Sequence, residues 1–359
     1  MERLQGHGAR LLDRRRLHRH PARRGRVRTY GPVRQPHPIR LGGQAALDVR
    51  ILVTGASGFV GSHVVKALID QGHDVAALVR PESSLWRLDE VANRFTVVRS
   101  DSTAPASLLA PLDGWRPEAC IHLAWYAVPG EYLQSTENVT SLALSLRMLD
   151  ELVVAGCEHV VMTGTCYEYD TEAGDLREDG PVRPVTIYAA SKLAAKMIGE
   201  LRAAQLGVGF TWARLFYLYG PFEDERRLVP AVIRAQLDGR EFPATVGTQV
   251  RDYLHVEDVA AALCALATQR VAGTFNVCSG EKLTVAELVG EVARIAGHPE
   301  LIRLGALPQR AGDPAYIRGD NTRLRAATSW TPHHTLPEGL SGTVAWWKQF
   351  LGRGAQAVT

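Results

Sequence analysis

The chain has 359 residues, of which 46% are hydrophobic and 22% are charged, a composition typical of a soluble globular protein. No apolar run is long enough to span a bilayer, which excludes a membrane protein. The five cysteines include no Cys-x-x-Cys pair, so the sequence indicates neither a zinc site nor a disulfide framework and predicts no metal. This cysteine usage favours the reducing cytoplasm.

Residues 1–48 differ in composition from the rest of the chain. They contain twelve arginines, no lysine and three acids, a net charge of +9, so the remainder carries −6 and gives no reason to expect a nucleic-acid partner. Because this extension has no sustained apolar period, it is predicted to be disordered. A nucleic-acid arm, a targeting peptide and a wrongly assigned start are alternatives. We favour the last, because a valine codon such as that of Val49 can start translation in bacteria.

A strand, a glycine-rich loop and a helix open the remainder of the chain. Arg50-Ile-Leu-Val is followed by Gly-x-x-Gly-x-x-Gly and then by a helical stretch to Gln71. In this setting the glycines allow a tight turn, close approach to a pyrophosphate and close packing of the helix, whose N-terminus faces the phosphates. The loop predicts dinucleotide binding by Gly55, Ser57, Gly58, Phe59, Val60 and Gly61.

The second predicted strand, His73 to Val79, ends in Arg80 instead of an acid. An acid at this point would bind the 2′-hydroxyl of NAD, whereas an arginine suits a 2′-phosphate. We therefore favour NADP(H) as the cofactor and keep NAD(H) open. The alternative is that Arg80 is simply an exposed residue at the end of a strand.

Three more strands and a long helix complete the predicted nucleotide-binding half. Strands are predicted at 95–98, 119–124 and 159–162, and the helix at 137–151. Alternating strands and helices indicate an α/β fold with a parallel, doubly wound sheet. His122 lies inside a strand and is predicted to be a core histidine. Further cofactor contacts are assigned to Asp101, Ser102, Leu123, Ala124 and Asn138.

Thr165, Tyr188 and Lys192 are the candidate catalytic residues. Tyr188 and Lys192 are four residues apart, so they share one face of a helix. A nearby ammonium is expected to lower the phenol pKa from about 10, which would allow Tyr188 to exchange protons with a sugar hydroxyl or ketone. Thr165 follows the fifth strand, at the sheet edge where ligands bind.

The threonine–tyrosine–lysine set and the Thr-Gly-x-x-Gly-Phe-x-Gly loop resemble the extended short-chain dehydrogenases, the nucleotide-sugar epimerase/dehydratase family, over about residues 50–350. The resemblance implies a Rossmann domain, mainly residues 49–219, and a smaller substrate-binding lobe, mainly 220–350, with Rossmann segments returning near 250–278 and a tail at 351–359. It also implies a nucleotide-sugar substrate and a homodimer formed through helices 138–154 and 186–206. Apolar positions that could serve this seam or the core are Leu142, Leu146, Leu149, Leu193 and Met197.

Two later segments resemble the family as well. In the stretch Arg-Leu-Phe-Tyr-Leu-Tyr-Gly-Pro, Phe216 would line the nicotinamide pocket, and Tyr217 replaces the asparagine with which the family contacts the sugar nucleotide. In Arg-Asp-Tyr-Leu-His-Val-Glu-Asp, Arg251 is the expected diphosphate ligand. Arg310 belongs to a further segment that resembles a nucleotide contact.

The residues after Thr165 bear on the reaction. The family's 4,6-dehydratases have Asp-Glu there, whereas this chain has Cys166 and Tyr167, and Glu168 comes one position too late. Neither replaces a carboxylic acid paired with a base, so dehydration is disfavoured. Cys166 is expected to be packed, since a small buried cysteine is commoner than a reactive one.

The string Gly-Thr-Cys-Tyr-Glu-Tyr resembles that of 4-keto-6-deoxy sugar-nucleotide reductases. This resemblance predicts NAD(P)H-dependent reduction of the C4 ketone of an NDP-4-keto-6-deoxyhexose, as in deoxysugar biosynthesis. Tyr188 would donate the proton, Lys192 would hold the nicotinamide ribose, and Thr165 would orient the C4 oxygen. The alternative is an NDP-hexose 4-epimerase with tightly bound NAD, which uses the same triad. A non-catalytic redox-sensing protein is a remote alternative, because such proteins often lack the tyrosine or the lysine.

Overall fold

The structure, a computed structural model, describes residues 48–101, 107–310 and 312–356. The predicted disordered extension, apart from Asp48, and the candidate cofactor residue Ser102 therefore lie outside the described residues. The described residues form one compact unit. No helix in the described ranges is long and apolar enough to cross a membrane.

The central feature of the fold is a seven-stranded parallel sheet. The strands of the described residues are β1 Arg50–Thr54, β2 Asp74–Val79, β3 Thr96–Arg99, β4 Ala119–His122, β5 His159–Thr165, β6 Gly209–Leu215, β7 Tyr217–Tyr219, β8 Phe242–Pro243, β9 Val250–Arg251, β10 Tyr253–His255, β11 Gly273–Val277, β12 Leu283–Thr284 and β13 Ile302–Arg303. The strand order in the large sheet is β11-β6-β5-β4-β1-β2-β3, which confirms the predicted parallel, doubly wound α/β fold. The helices are α1 Phe59–Asp70, α2 Glu137–Val154, α3 Ile187–Leu206, α4 Leu228–Leu237, α5 Val256–Thr268, α6 Val285–Ala296, α7 Thr322–Thr328 and α8 Leu336–Gln356.

Helices cover both faces of this sheet because its strands are apolar on both sides. Alternate residues of β1 belong to different core clusters: Ile51 and Val53 to one, and Leu52 to the other. The first cluster is completed by α1, α5 and α7, and the second by α2 and α3. Strand order reverses between β1 and β4, and ligands bind in such sheets at the carboxyl ends of the strands near this point.

A smaller lobe is built from α4, α6 and α8 around its own apolar core. Helix α6 begins at a capping box in which the Thr284 hydroxyl accepts from the backbone N–H of Glu287, and the Glu287 carboxylate accepts from that of Thr284. Between segments of this lobe the chain returns to the sheet, where α5 packs on α1 and β11 pairs with β6. Helix α7 also packs against β11, a return that the sequence did not reveal.

Candidate active site

The glycine-rich loop joins β1 to α1 in a conformation that only glycine permits. Gly55 has a φ of +68°, in the left-handed region. A Cβ at Gly61 would lie 2.2 Å from the Gly55 carbonyl oxygen, so the helix could not pack this closely on the loop with any other residue. No side chain of the described residues caps the N-terminus of α1, so the first backbone N–H groups of this helix remain available to an anion. These features fit the pyrophosphate of a dinucleotide.

Two arginines lie at the carboxyl ends of the next strands. Arg80 follows β2, is exposed and forms an ion pair with Glu82 at 3.2 Å. Arg99 ends β3, and its guanidinium donates to the carbonyl oxygens of Arg80 and Pro81 at 3.3 and 2.6 Å. Arg99 was not among the residues predicted from the sequence, although its position at the end of a predicted strand is a signal that could have identified it. The two guanidinium groups together make this edge of the sheet basic.

The segment after β4 packs directly against the glycine-rich loop. Leu123 and Ala124 donate their backbone N–H groups to the Thr54 hydroxyl, each at 3.2 Å. A Cβ at Gly55 would lie 2.8 Å from the nitrogen of Ala124. Asp101 is exposed just after β3. These predicted cofactor residues thus line the same edge of the sheet.

His122 and Asn138 are both enclosed by the protein. His122 contacts Thr54 at 2.8 Å and Ser145 at 2.9 Å, and burial lowers its pKa to about 3, which confirms the predicted core histidine. The Asn138 amide donates to the carbonyl oxygens of Tyr132 and Ser135, and its carbonyl accepts from Trp125. Its side chain therefore holds the loop before α2. This differs from the predicted cofactor contact, because Asn138 is fully buried and its polar atoms are engaged.

Thr165 is fixed by the short helical turn that begins directly after β5. Its backbone N–H donates to the Glu168 carboxylate at 2.8 Å, and its hydroxyl accepts from the backbone N–H of Tyr167 at 3.3 Å. Glu168 is fully buried and forms an ion pair with Arg214 at 2.7 Å. As the sequence indicated, Glu168 points away from the reacting groups, where its charge holds Thr165 in place.

Helix α3 presents Lys192 beside the end of β5. Lys192 is 4% exposed; its ammonium donates to the Thr163 carbonyl at 2.8 Å and lies 3.8 Å from the centre of the Trp125 ring. Burial lowers the pKa of Lys192 to about 7, opposed by the charge of Glu168. The ammonium is therefore held by a carbonyl and an aromatic face, one turn along the helix from Tyr188.

Tyr188 lies half-buried between Thr165 and Tyr132, whose ring packs edge-to-face on it at a centroid distance of 4.8 Å. Burial raises the pKa of Tyr188, Tyr132 raises it further, and a hydrogen bond with the Thr165 side chain opposes them. The expected lowering of this pKa by Lys192 was wrong for this structure. Burial dominates, and the ammonium lies 6.0 Å from the centre of the phenol ring. Thr165, Tyr188 and Lys192 are nevertheless brought together.

A cluster of three tyrosines adjoins the catalytic group. The hydroxyls of Tyr167 and Tyr217 are 2.7 Å apart, and the rings of Tyr217 and Tyr253 have centroids 5.4 Å apart. Burial raises the pKa of all three phenols, so they are neutral hydrogen-bonding groups at neutral pH. Burial also raises the pKa of the Cys166 thiol to about 12, which confirms a packed cysteine.

The remaining predicted substrate residues lie on the side of the smaller lobe. Arg251 is buried, forms an ion pair with Asp313 at 2.7 Å and lies 5.4 Å from the centre of the Tyr217 ring. Arg310 is exposed on the loop that leads to Asp313. Phe216 is buried in a cluster beneath the tyrosines. Arg251 thus meets the tyrosine cluster, whereas Arg310 lies at the surface.

One group of side chains in the described part of the chain has the composition of a metal site. Ligand atoms of His255, Glu257 and His334 lie within 4.8 Å of one another. The two imidazole rings have centroids 4.1 Å apart and are tilted by 34° to each other, so they pack face against face. His334 instead lies between Asp258 at 3.2 Å and Glu257 at 3.3 Å. This geometry fits a histidine between two carboxylates better than a metal ligand.

Comparisons with known proteins agree with this geometry. A model of the NAD dependent epimerase/dehydratase family matches residues 51–278. The UDP-glucose 4-epimerase of Mycolicibacterium smegmatis is 31% identical over 84% of this chain and 99% of its own length. The dTDP-glucose 4,6-dehydratase of Streptomyces griseus is 28% identical over 84% and 94%. A crystal structure of the Thermus thermophilus UDP-glucose 4-epimerase with NAD has a TM-score of 0.73 and 28% identity, over 83% of this chain and 99% of that one.

Proposed function

Since the chain belongs to the NAD dependent epimerase/dehydratase family, we propose that it is an enzyme that transfers hydride at C4 of a nucleotide-sugar hexose, acting as a 4-epimerase. The observation that carries the proposal is the meeting of Thr165, Tyr188 and Lys192 at the sheet edge that also holds the glycine-rich loop. Two 4-epimerases among the similar proteins favour this reaction over the 4-ketoreductase that the sequence favoured.

Each catalytic side chain has a separate task in this reaction. When bound, the nicotinamide dinucleotide supplies an acceptor and donor of hydride. The Thr165 hydroxyl holds the C4 oxygen; Tyr188, as the phenolate, takes the proton from that oxygen, becomes the neutral phenol and later returns the proton. The protonated form of Lys192, which is favoured below a pH of about 7, places a positive charge near the Tyr188 side chain. This charge lowers the free energy of the phenolate that takes the proton.

The site disfavours the dehydratase reaction. Elimination of water needs an acid and a base beside the sugar. At the two positions after Thr165 the chain offers the packed thiol of Cys166 and the neutral phenol of Tyr167. Glu168 is committed to its ion pair with Arg214. The similarity to a 4,6-dehydratase therefore extends to the fold and to the hydride-transfer residues, and not to the acid–base pair.

The basic sheet edge favours a second candidate, the 4-ketoreductase. Arg80 and Arg99 lie where the adenosine ribose of a dinucleotide binds in this fold, and guanidinium groups suit the 2′-phosphate of NADPH. A reductase consumes one NADPH in each turnover, whereas an epimerase recycles NAD. NADP(H) thus remains part of the proposal, beside the NAD that the family's name states.

Substitution of both arginines tests the cofactor preference. In Arg80→Ala/Arg99→Ala we expect Kd for NADPH, measured by fluorescence, to rise about tenfold or more, while Kd for NADH changes less than about threefold, because the 2′-phosphate loses its donors. Arg240→Ala, an exposed arginine paired with Asp238 on the smaller lobe, is the matched control. If the ratio of the two Kd values stayed equal to that of the wild type, the two arginines would not bind a 2′-phosphate.

Product analysis separates the two reactions. Purified protein is incubated with UDP-glucose or dTDP-glucose and, separately, with dTDP-4-keto-6-deoxyglucose and NADPH. Formation of the galactose epimer without net change in dinucleotide absorbance supports the 4-epimerase. Stoichiometric oxidation of NADPH by the keto sugar supports the 4-ketoreductase. Absence of both reactions would contradict the proposal.

We also propose that the enzyme is a cytoplasmic homodimer formed through α2 and α3. These helices pack side by side and are joined by an ion pair between Asp150 and Arg202 at 2.7 Å. On α3, Met197, Ile198 and Leu201 are exposed apolar residues that a second copy could cover. Leu149, by contrast, is fully buried in the core and is unavailable to such a seam.

A further inference from the structure

Glu223 is a buried acid that the proposed mechanism does not use. It follows β7 and is 9% exposed, and its Oε2 atom is buried without a hydrogen-bond partner in the described part of the chain. Burial raises the pKa of its carboxyl well above the usual range, while Arg227 opposes this rise. A buried polar atom without a hydrogen-bond partner costs free energy. Such an atom therefore either lowers the stability of the fold or indicates a binding site for a ligand.

The turn that presents Glu223 is strained and held from both sides. Phe222, the residue before it, has a φ of +71°, which is unfavourable for any residue with a side chain. Arg87 donates to the Phe222 carbonyl at 3.1 Å, and His63 contacts the Pro221 carbonyl at 3.0 Å. Strained backbone that its surroundings enforce is concentrated at functional sites. The strained residue here is the immediate neighbour of Glu223.

One neighbour of Glu223 leads to the tyrosine cluster. The charge of Glu223 raises the pKa of Tyr253, so the two side chains are close. The Tyr253 ring packs on Tyr217, whose hydroxyl is 2.7 Å from that of Tyr167. Tyr167 is bonded in turn to Thr165. This series of contacts joins Glu223 to the residue that would hold the C4 oxygen.

A second neighbour leads to the catalytic phenol. Arg227, which interacts with Glu223, lies 5.1 Å from the centre of the Tyr132 ring. Tyr132 packs edge-to-face on Tyr188. Arg227 is only four residues from Glu223, so the turn that carries Glu223 adjoins the catalytic group on the side of Tyr132.

We propose that Glu223 binds the sugar, with its carboxyl group forming a hydrogen bond with a hydroxyl of the hexosyl ring. The class of ligand, a nucleotide sugar, rests on the proposed function. A protonated carboxyl both donates and accepts, as does a sugar hydroxyl, so the sugar would give a partner to a carboxyl group that is not fully hydrogen-bonded within the described part of the chain. The diphosphate is an unsuitable partner, since an acid placed against it would be repelled whenever it ionised.

Two variants and two kinds of ligand test this inference. Glu223→Gln keeps the shape and the capacity to donate and accept, whereas Glu223→Leu removes both. Calorimetry measures the affinity of each protein for UDP-glucose and for UDP, and for dTDP-glucose and dTDP. For Glu223→Leu we expect a loss of about 10- to 100-fold for the sugar nucleotide and less than about twofold for the nucleoside diphosphate. Glu223→Gln should stay within about threefold of the wild type for both.

Thermal unfolding adds a readout that separates binding from structure. Because Glu223→Leu replaces a buried, unpartnered acid by an apolar group, its melting temperature should equal or exceed that of the wild type. Equal affinities of wild type and Glu223→Leu for the sugar nucleotide would overturn the inference. So would a parallel loss for sugar nucleotide and nucleoside diphosphate, or a glutamine variant as weak as the leucine variant. Failure of the proposed function appears elsewhere, as absence of turnover in the product assays.

Discussion

Tyr188→Phe is expected to lower kcat by about 10²- to 10⁴-fold, which corresponds to about 3–5 kcal/mol of transition-state stabilisation. The substitution removes only the hydroxyl, the atom that would exchange a proton with the C4 oxygen. The ring keeps its edge-to-face packing on Tyr132, so the fold should persist. Steady-state rates are compared with dinucleotide affinity, measured by fluorescence, which should change less than about threefold.

Tyr132→Phe is the matched control for this prediction. Tyr132 lies in the same site and packs on the same ring, but the proposed mechanism gives its hydroxyl no proton to move. We expect its kcat to stay within about threefold of the wild type. A Tyr188→Phe rate within tenfold of the wild type, or equal losses in the two variants, would show that the phenol of Tyr188 does not carry the proton.

The sheet and the cofactor loop could be predicted from the sequence because local patterns determine them. Buried parallel strands are short apolar runs, and β1 to β5 were all found within a few residues of their bounds. The glycine loop is equally local, since Gly55 needs a positive φ and Gly61 has no room for a Cβ. The candidate catalytic residues could also be predicted, because Thr165 follows a strand and because Tyr188 and Lys192 share a helix face.

Features that depend on distant residues were missed or misjudged. The pKa of Tyr188 is set by burial, which the neighbouring Lys192 cannot reveal. Asn138 is engaged by the loop before its helix. The local sequence around Glu223 did not indicate that its turn is strained or that its carboxyl is buried without a full set of partners in the described part of the chain. In each case the property depends on desolvation or on a tertiary contact, and neither of these produces a pattern in the local sequence.

The similar proteins support the alternative 4-epimerase better than the favoured 4-ketoreductase, and local residues could not distinguish the two reactions. The string that favoured a 4-ketoreductase contains Cys166 and Glu168, and the structure shows that both are buried and structural. Cys166 fills a packed cluster, and Glu168 supports the turn and balances Arg214. Residues with these roles stabilise this part of the fold. Both side chains are enclosed by protein groups, so they cannot distinguish a reductase from an epimerase.

Glu168→Ala is expected to lower the free energy of unfolding by about 3–5 kcal/mol, because it leaves the buried guanidinium of Arg214 without its counter-charge. The carboxylate also accepts from the Trp212 indole at 3.1 Å and from the Thr165 backbone at 2.8 Å, so two further donors lose their partner. Denaturant unfolding followed by circular dichroism measures the change. Activity should fall as well, since the turn that positions Thr165 loses its support.

Two further variants distinguish the cost of leaving a buried charge unpaired from the cost of losing a surface ion pair. Glu158→Ala removes the partner of Arg270 at the surface, where solvent screens the charges, and should cost less than about 1 kcal/mol. Glu168→Leu/Arg214→Met removes both buried charges, and it should recover much of the stability lost in Glu168→Ala, because no charge is then left unpaired in the core. If Glu168→Ala lost no more stability than Glu158→Ala, the buried pair would not be what anchors the Thr165 turn.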